Sequence, residues 1–187
     1  EALAEQAAAA GVPLQIVVGG LRRDQVAIDA AARVRYLGYW QAVNASTGQL
    51  FDFERGLPEG LVYDTEPACR ALVTARQLDA ASAWTLLKLV QQAFYTEGAD
   101  VTQASVLVQL AERAGIPRIE FAEAFDSQAM QEATAADFTW VQDLGIAGFP
   151  TLLAERDGQL ALLTNGYQPL EVLAPLLGRW LERAAHA

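Results

Sequence analysis

The spacing of apolar positions changes along the chain, and the changes divide it into elements. At the start Ala2, Leu3, Ala4 and the run Ala7–Ala10 predict a helix, stopped by Gly11 with Pro13 just beyond. Leu14-Gln15-Ile16-Val17-Val18, closed by Gly19-Gly20, predicts a short strand buried on both faces. From Asp24 the period turns helical. Asp24 reads as the cap of a helix with Val26, Ala30, Val34, Leu37 and Trp40 on one stripe, broken between Asn44 and Gly48. Residues 49–63 read as a long loop pegged down by Phe51, Phe53, Leu57 and Tyr63.

Asp64-Thr65-Glu66-Pro67 then opens a helix. Asp64 or Thr65 can accept from an orphan N–H, Glu66 suits the positive end of the dipole, and proline fits a first turn. A helix over 80–96 follows with Leu86, Leu87, Val90 and Phe94 on one face. Another, capped by Thr102, carries Val106, Leu107, Leu110 and Ala111 and stops at Gly115 before Pro117. A short helix around Phe121 and Phe125 is followed by a longer one from Ser127 to Gly145. The pattern then becomes extended. Thr151–Ala154 and Leu160–Leu163 read as two strands joined at Asp157-Gly158, and Pro169 opens a last amphipathic helix, with Pro175 expected to kink it or delay its start.

The order is therefore α, β, a block of helices, β, β, α. A helix bundle does not end in a hairpin, so the two ends are expected to form an α/β frame interrupted by the helical block. The expected division is 1–23, 24–145 and 146–187, with the middle part all helical.

Composition narrows the chemistry. A chain of 187 residues that is 52% apolar can bury one sizeable core. No apolar run reaches membrane-spanning length. Thirteen basic against 23 acidic residues leave a net charge of −10, which repels phosphate backbones and argues against nucleic acid as a partner. There is one cysteine, Cys69, and one histidine, His186. They supply neither an intrachain disulfide nor a Cys/His metal cluster, and His186 is too near the end for a Ser–His–Asp triad. Helix-like residues begin directly at Glu1, which is not a methionine, so Glu1 is expected to be a cut point or the edge of an ordered region.

Gly148-Phe149-Pro150-Thr151, placed after the long helix and before the hairpin, resembles the cis-proline segment of the thioredoxin superfamily. Asp64-Thr65-Glu66-Pro67-Ala68-Cys69-Arg70-Ala71, Phe94 to Thr102 and Gly19-Gly20-Leu21-Arg22 resemble the FrnE-like branch of the DsbA-like thiol oxidoreductases. The resemblance covers nearly the whole chain. It implies a thioredoxin fold with a large inserted all-helical domain, and thiol–disulfide exchange on protein or small-molecule thiols. It places the catalytic cysteines in a Cys-X-X-Cys at a helix N-terminus, expected upstream of Glu1, where the dipole lowers the thiol pKa. Phe149, Pro150 and Thr151 are the implied substrate-binding residues, pairing with an extended segment beside those cysteines. The resemblance implies no metal and no bound cofactor, with glutathione as a candidate co-substrate, and a cytoplasmic setting.

Two other readings use the same scaffold. One is a glutathione-dependent isomerase or transferase, like the 2-hydroxychromene-2-carboxylate isomerase and kappa-class group, with serine in place of the cysteines. The other is a non-catalytic binding member. A helical transcription regulator fits neither the acidity nor the hairpin ending.

Individual residues also have plainer readings. Cys69 reads as a small buried residue rather than a redox thiol. Asp64, Thr65 and Glu66 read as capping groups. Trp84, Phe53 and Trp140 read as core, while Trp40 and Phe51 are the aromatic residues to look for in a cleft. Arg22 and Arg23 read as a solvated turn, with an anion such as a glutathione carboxylate as the sharper alternative.

Overall fold

The computed structural model describes residues 2–185, with side chains through residue 182. The chain divides into two units. One is Ile16–Thr139; the other joins the residues up to Gln15 to those from Trp140 onward.

The Ile16–Thr139 unit begins with β1 (Arg23–Ala27), α2 (Ala30–Thr47) and β2 (Val62–Asp64). It continues with α3 (Glu66–Leu78), α4 (Ala80–Tyr95), α5 (Ala104–Arg113), α6 (Arg118–Asp126) and most of α7 (Gln128–Asp143). β1 and β2 pair antiparallel, Arg23 opposite Asp64 and Ala27 opposite Val62, with an irregularity between. α3 is the central helix. Ala71, Leu72, Val73, Thr74 and Ala75 are all buried, and α4, α5 and α6 pack around it. Small residues at 71 and 75 let neighbouring helices approach. Phe121 and Phe125 on α6 stack with centroids 5.8 Å apart and, with Leu86 and Leu107, form the most enclosed part of the core. A second aromatic cluster joins Trp40, Phe51, Phe94 and Tyr95. Trp40 is 5% exposed, so it and Phe51 belong to the core and its border rather than to a cleft.

Two sequence expectations fail here. The helix does not start at Asp24. Residues 23–27 pair with β2, and the cap is Asp29, whose Oδ1 accepts from Ala32 N–H at 2.7 Å. The Asp24 carboxylate instead holds the Arg22 guanidinium. The predicted stripe is displaced with it: Val26 and Val34 are exposed, and Tyr36 and Trp40 form the buried face. Nor does Leu14–Val18 form a strand. Two of its backbone groups are met by side chains instead. Ile16 C=O accepts from Arg76 Nη1 at 2.6 Å and Val18 N–H donates to Asp137 Oδ2 at 3.1 Å. Val17, between them, is 38% exposed, so the run is not buried on both faces.

The other unit contains α1 (Ala2–Ala9), the hairpin β3 (Thr151–Arg156) and β4 (Gln159–Asn165), and α8 (Leu170–Ala185). Asp157 and Gly158 at the hairpin tip have φ of 51° and 75°, the two positive values of a tight type I′ turn, with Arg156 opposite Gln159. α8 packs on α1 and on β4, and Gln6 Nε2 donates to Ala174 C=O at 3.1 Å. Pro175 lies inside α8, not before its start. Arg156 ties the hairpin to α8 by donating to Trp180 C=O at 2.8 Å, with its guanidinium 4.7 Å from the centre of the Trp180 ring. Trp140, expected in the core, is 40% exposed. His186 lies outside the described residues.

The ion pair that carries Ile16 and Val18 is mostly buried: Arg76 and Asp137 side chains are each 14% exposed, and the guanidinium forks onto both carboxylate oxygens at 2.9 and 3.1 Å. Asp137→Ala is expected to destabilise the protein by about 3–5 kcal/mol in urea unfolding, because it strands a buried guanidinium. Arg118→Ala, in the exposed pair with Glu112, is expected to cost no more than ~1 kcal/mol. Equal costs would remove the special role assigned to Asp137.

Candidate functional site

The segment leading into β3 is held from both sides. Gly166 N–H donates to Pro150 C=O at 2.8 Å, and Thr151 Oγ1 donates to Gly148 C=O at 2.8 Å, with Asn165 Oδ1 3.2 Å away. The Phe149–Pro150 peptide bond is cis. Between these anchors Phe149 is 45% exposed, an aromatic ring presented to solvent by a fixed backbone. Phe149, Pro150 and Thr151 thus lie together on one short, well-fastened turn.

A second constellation forms where Gly20–Arg23 meets the start of α3. Thr65 does not cap its helix by its side chain. Its Oγ1 accepts from Leu21 N–H and Arg22 N–H, each at 3.0 Å, and donates to Arg22 C=O at 2.9 Å, while its own N–H donates to the same carbonyl at 3.0 Å. Asp64 Oδ1 takes the capping role by accepting from Glu66 N–H at 2.8 Å. The Arg22 guanidinium forks onto Asp24 and lies 5.1 Å from the Tyr36 ring centre, and the hydrogen bond to Asp24 raises its already high pKa. Arg22 is therefore occupied, whereas Arg23 is exposed and lines an open pocket with Glu66 and Arg70.

Gly20 is required at its position. Its φ is +60°, and a Cβ there would sit 2.7 Å from Cζ of Phe138. Cys69 lies in the first turns of α3 among the partly buried residues that border the core. Burial pushes its thiol up to about 11, with Glu66, Asp64 and Asp137 adding in the same direction and the Gly20 N–H opposing. Tyr63 is likewise held protonated, chiefly by burial, with Tyr95 adding in the same direction. Neither group is poised for nucleophilic or acid–base work near neutral pH. Among the described residues no group of His, Cys, Asp and Glu is arranged to hold a metal ion. Among the described residues no helix is long and apolar enough to cross a membrane.

Sequence reasoning singled out the Phe149-Pro150-Thr151 segment and read Cys69 as buried; the structure places Cys69 partly buried, at the border of the core. It missed the bridging role of Thr65, whose signal was only a hydroxyl one residue ahead of a helix. It also missed Asp137 and Arg76, which lie 61 positions apart in sequence.

At pH 8 the native protein is expected to react with a thiol reagent such as DTNB far more slowly at Cys69 than the urea-unfolded chain does. Fast native labelling would contradict the burial. The sign with pH follows from the raised value. Below pH ~9 the thiol is protonated in both states. Between about 9 and 11 the unfolded thiol ionises first, so stability falls as pH rises. Cys69→Ala is expected to remove that contribution from the urea midpoint.

Residues 43–178 match the DSBA-like thioredoxin domain family. A comparison with curated proteins finds no match. Among solved structures, a candidate protein disulfide isomerase from Nitrosomonas europaea is similar, with 36% identity and a TM-score of 0.90 over 97% of this chain and 87% of that one. The cytosolic disulfide reductase DsbM from Pseudomonas aeruginosa is similar at 26% identity and a TM-score of 0.72, covering 98% of this chain and 92% of that one. DsbM with glutathione gives 27% identity and 0.73, with the same coverage. The fold is thus a DsbA-like thioredoxin fold with a helical insertion. The chain belongs to the DSBA-like thioredoxin domain family.

Proposed function

We propose that the protein is a thiol–disulfide oxidoreductase of the cytoplasm, in the FrnE-like branch of its family, that reduces or isomerises disulfides in protein or small-molecule substrates. The supporting observation is the fastened turn at Phe149-Pro150-Thr151 with its ring exposed, on a chain 36% identical to a candidate disulfide isomerase. Exchange needs a thiolate and a second sulfur to resolve the mixed disulfide. Cys69 supplies neither, being partly buried, protonated and alone. The reacting pair is a Cys-X-X-Cys upstream of Glu1 in the natural protein. The hairpin unit fits such an addition. Leu160, Leu162, Leu170 and Val172 are all at least 40% exposed, and its buried apolar residues are few. That leaves apolar surface for further residues to cover. Phe149 and Thr151 contact substrate, and glutathione, which is present in one DsbM structure, is the proposed co-substrate.

A thiol count on the denatured full-length natural protein tests this, before and after reduction. A gain of two thiols over Cys69 is expected. No gain would sink the disulfide reading and favour glutathione-dependent chemistry without a cysteine pair. Phe149→Ala is expected to lower kcat/KM for a protein disulfide roughly tenfold, equivalent to ~1.4 kcal/mol of lost contact. Cys69→Ala is expected to leave turnover unchanged.

A further inference from the structure

A pocket of about 310 Å³ opens within the Ile16–Thr139 unit, lined by Arg23, Glu66, Arg70, Gln131, Thr134, Ala135 and Phe138. Its electrostatics differ from those of the chain as a whole. The protein carries −10, yet these walls hold two guanidinium groups against one carboxylate. The carboxylate is committed: Glu66 Oε1 lies 3.1 Å from Arg70 Nε, and the two side chains are 17% and 16% exposed. Counted as a neutral pair, they leave Arg23 as the uncompensated charge. Several other arginines have their forks filled, Arg22 by Asp24, Arg55 by Asp52 and Arg76 by Asp137. Among the described residues Arg23 has no ion pair, hydrogen bond or ring contact at its guanidinium.

Arg70 shows a second deficit. Its Nη1 donates to Phe125 C=O at 3.0 Å and its guanidinium carbon lies 4.2 Å from the Phe125 ring centre. Its Nε, although near Glu66, is not aligned with it for a hydrogen bond and is a buried donor without an acceptor. Buried donors are rarely left so. Opposite, α7 contributes the exposed Gln131 amide, and Ala135 and the Phe138 ring supply apolar wall.

We infer that this pocket binds a small monoanionic carboxylate with an apolar or aromatic body. Arg23 forks onto the carboxylate, Gln131 donates a further hydrogen bond, and Phe138 and Ala135 take the body. A guanidinium matches a carboxylate in two parallel hydrogen bonds, which favours this anion over a neutral isostere. With Arg23 as the uncompensated charge on these walls, a monoanion is matched and a dianion such as phosphate is not. This inference stands apart from the redox reading, since no thiol takes part in it.

The test uses the full-length, isotope-labelled protein and sodium benzoate as probe, with benzamide as the neutral isostere and constant ionic strength. Nitrogen–proton NMR follows the Gln131 side-chain amide and the Arg23 Nε–H. Benzoate is expected to give saturable shifts at both groups, and benzamide none. Arg23→Gln is expected to weaken benzoate binding by about tenfold or more, as for loss of a charged hydrogen-bond pair. Gln131→Ala is expected to weaken it less, and gives a second route should Arg23→Gln fold poorly. Equal binding of benzamide and benzoate, or an unchanged benzoate affinity in Arg23→Gln, would overturn the assignment. Tighter binding of inorganic phosphate than of benzoate would also overturn it.

Discussion

The larger unit depends on one buried ion pair. Arg76 on α3 and Asp137 on α7 meet at 2.9 Å and, between them, also hold Ile16 C=O and Val18 N–H. Ile16 is where the chain enters this unit, and Asp137 lies two residues before Thr139, where it leaves. A single guanidinium on the central helix therefore fastens both ends. Two charges that are mostly out of water are costly unless their hydrogen-bonding capacity is filled. Here each also serves a backbone group that would otherwise be orphaned, so the pair and the 16–18 segment satisfy one another.

The position of the next residues follows from that anchor. With Val18 fixed, Gly20 packs on Phe138, one residue after Asp137, at a distance only a glycine tolerates. Leu21 and Arg22 then fall within reach of the Thr65 hydroxyl, which accepts from both N–H groups and donates to Arg22 C=O. The start of α3 is positioned by the neighbouring Leu21–Arg22 backbone as well as by its Asp64 cap. That in turn sets Glu66 and Arg70 on the pocket wall beside Arg23. The chain of dependence runs from a buried charge pair, through one glycine and one hydroxyl, to the placement of the surface guanidinium.

Helices whose signals are local were legible in the sequence. The stops at Gly115 and Gly145, the Asp157-Gly158 turn and the apolar faces at Leu86, Val90 and Phe94 all lie where periodicity and turn chemistry put them. The failures share a cause, which is partners distant in sequence. Asp24 looked like a cap because capping residues and guanidinium partners are the same residue type; only β2, some 40 positions on, makes residues 23–27 a strand. Leu14–Val18 looked like a strand because its composition suits one, but the hydrogen bonds that its backbone makes come from Arg76 and Asp137. At the candidate site, the residues of the Phe149–Thr151 turn are contiguous and so were visible. The pocket at Arg23 is assembled from three separate stretches and was not.

Cys69 shows how two general rules compete within this family fold. Placement in the first turns of a helix favours a thiolate, because unpaired N–H groups and the dipole stabilise negative charge there. Cys69 has that placement, and the Gly20 N–H acts in the same direction. Burial nonetheless dominates, and three carboxylates act with it, so the thiol rises to about 11. A helix terminus activates a sulfur only where the sulfur stays partly solvated and no carboxylates crowd it. The same features that make Cys69 inert, packing against the core and proximity to the Arg76–Asp137 pair, are those that hold the larger unit together. A reactive sulfur needs the opposite surroundings: an exposed helix start, away from the acidic cluster. The exposed turn at Phe149 meets the condition of solvent access that Cys69 fails, which is why the proposed exchange chemistry belongs beside that turn and not at the cysteine this chain contains.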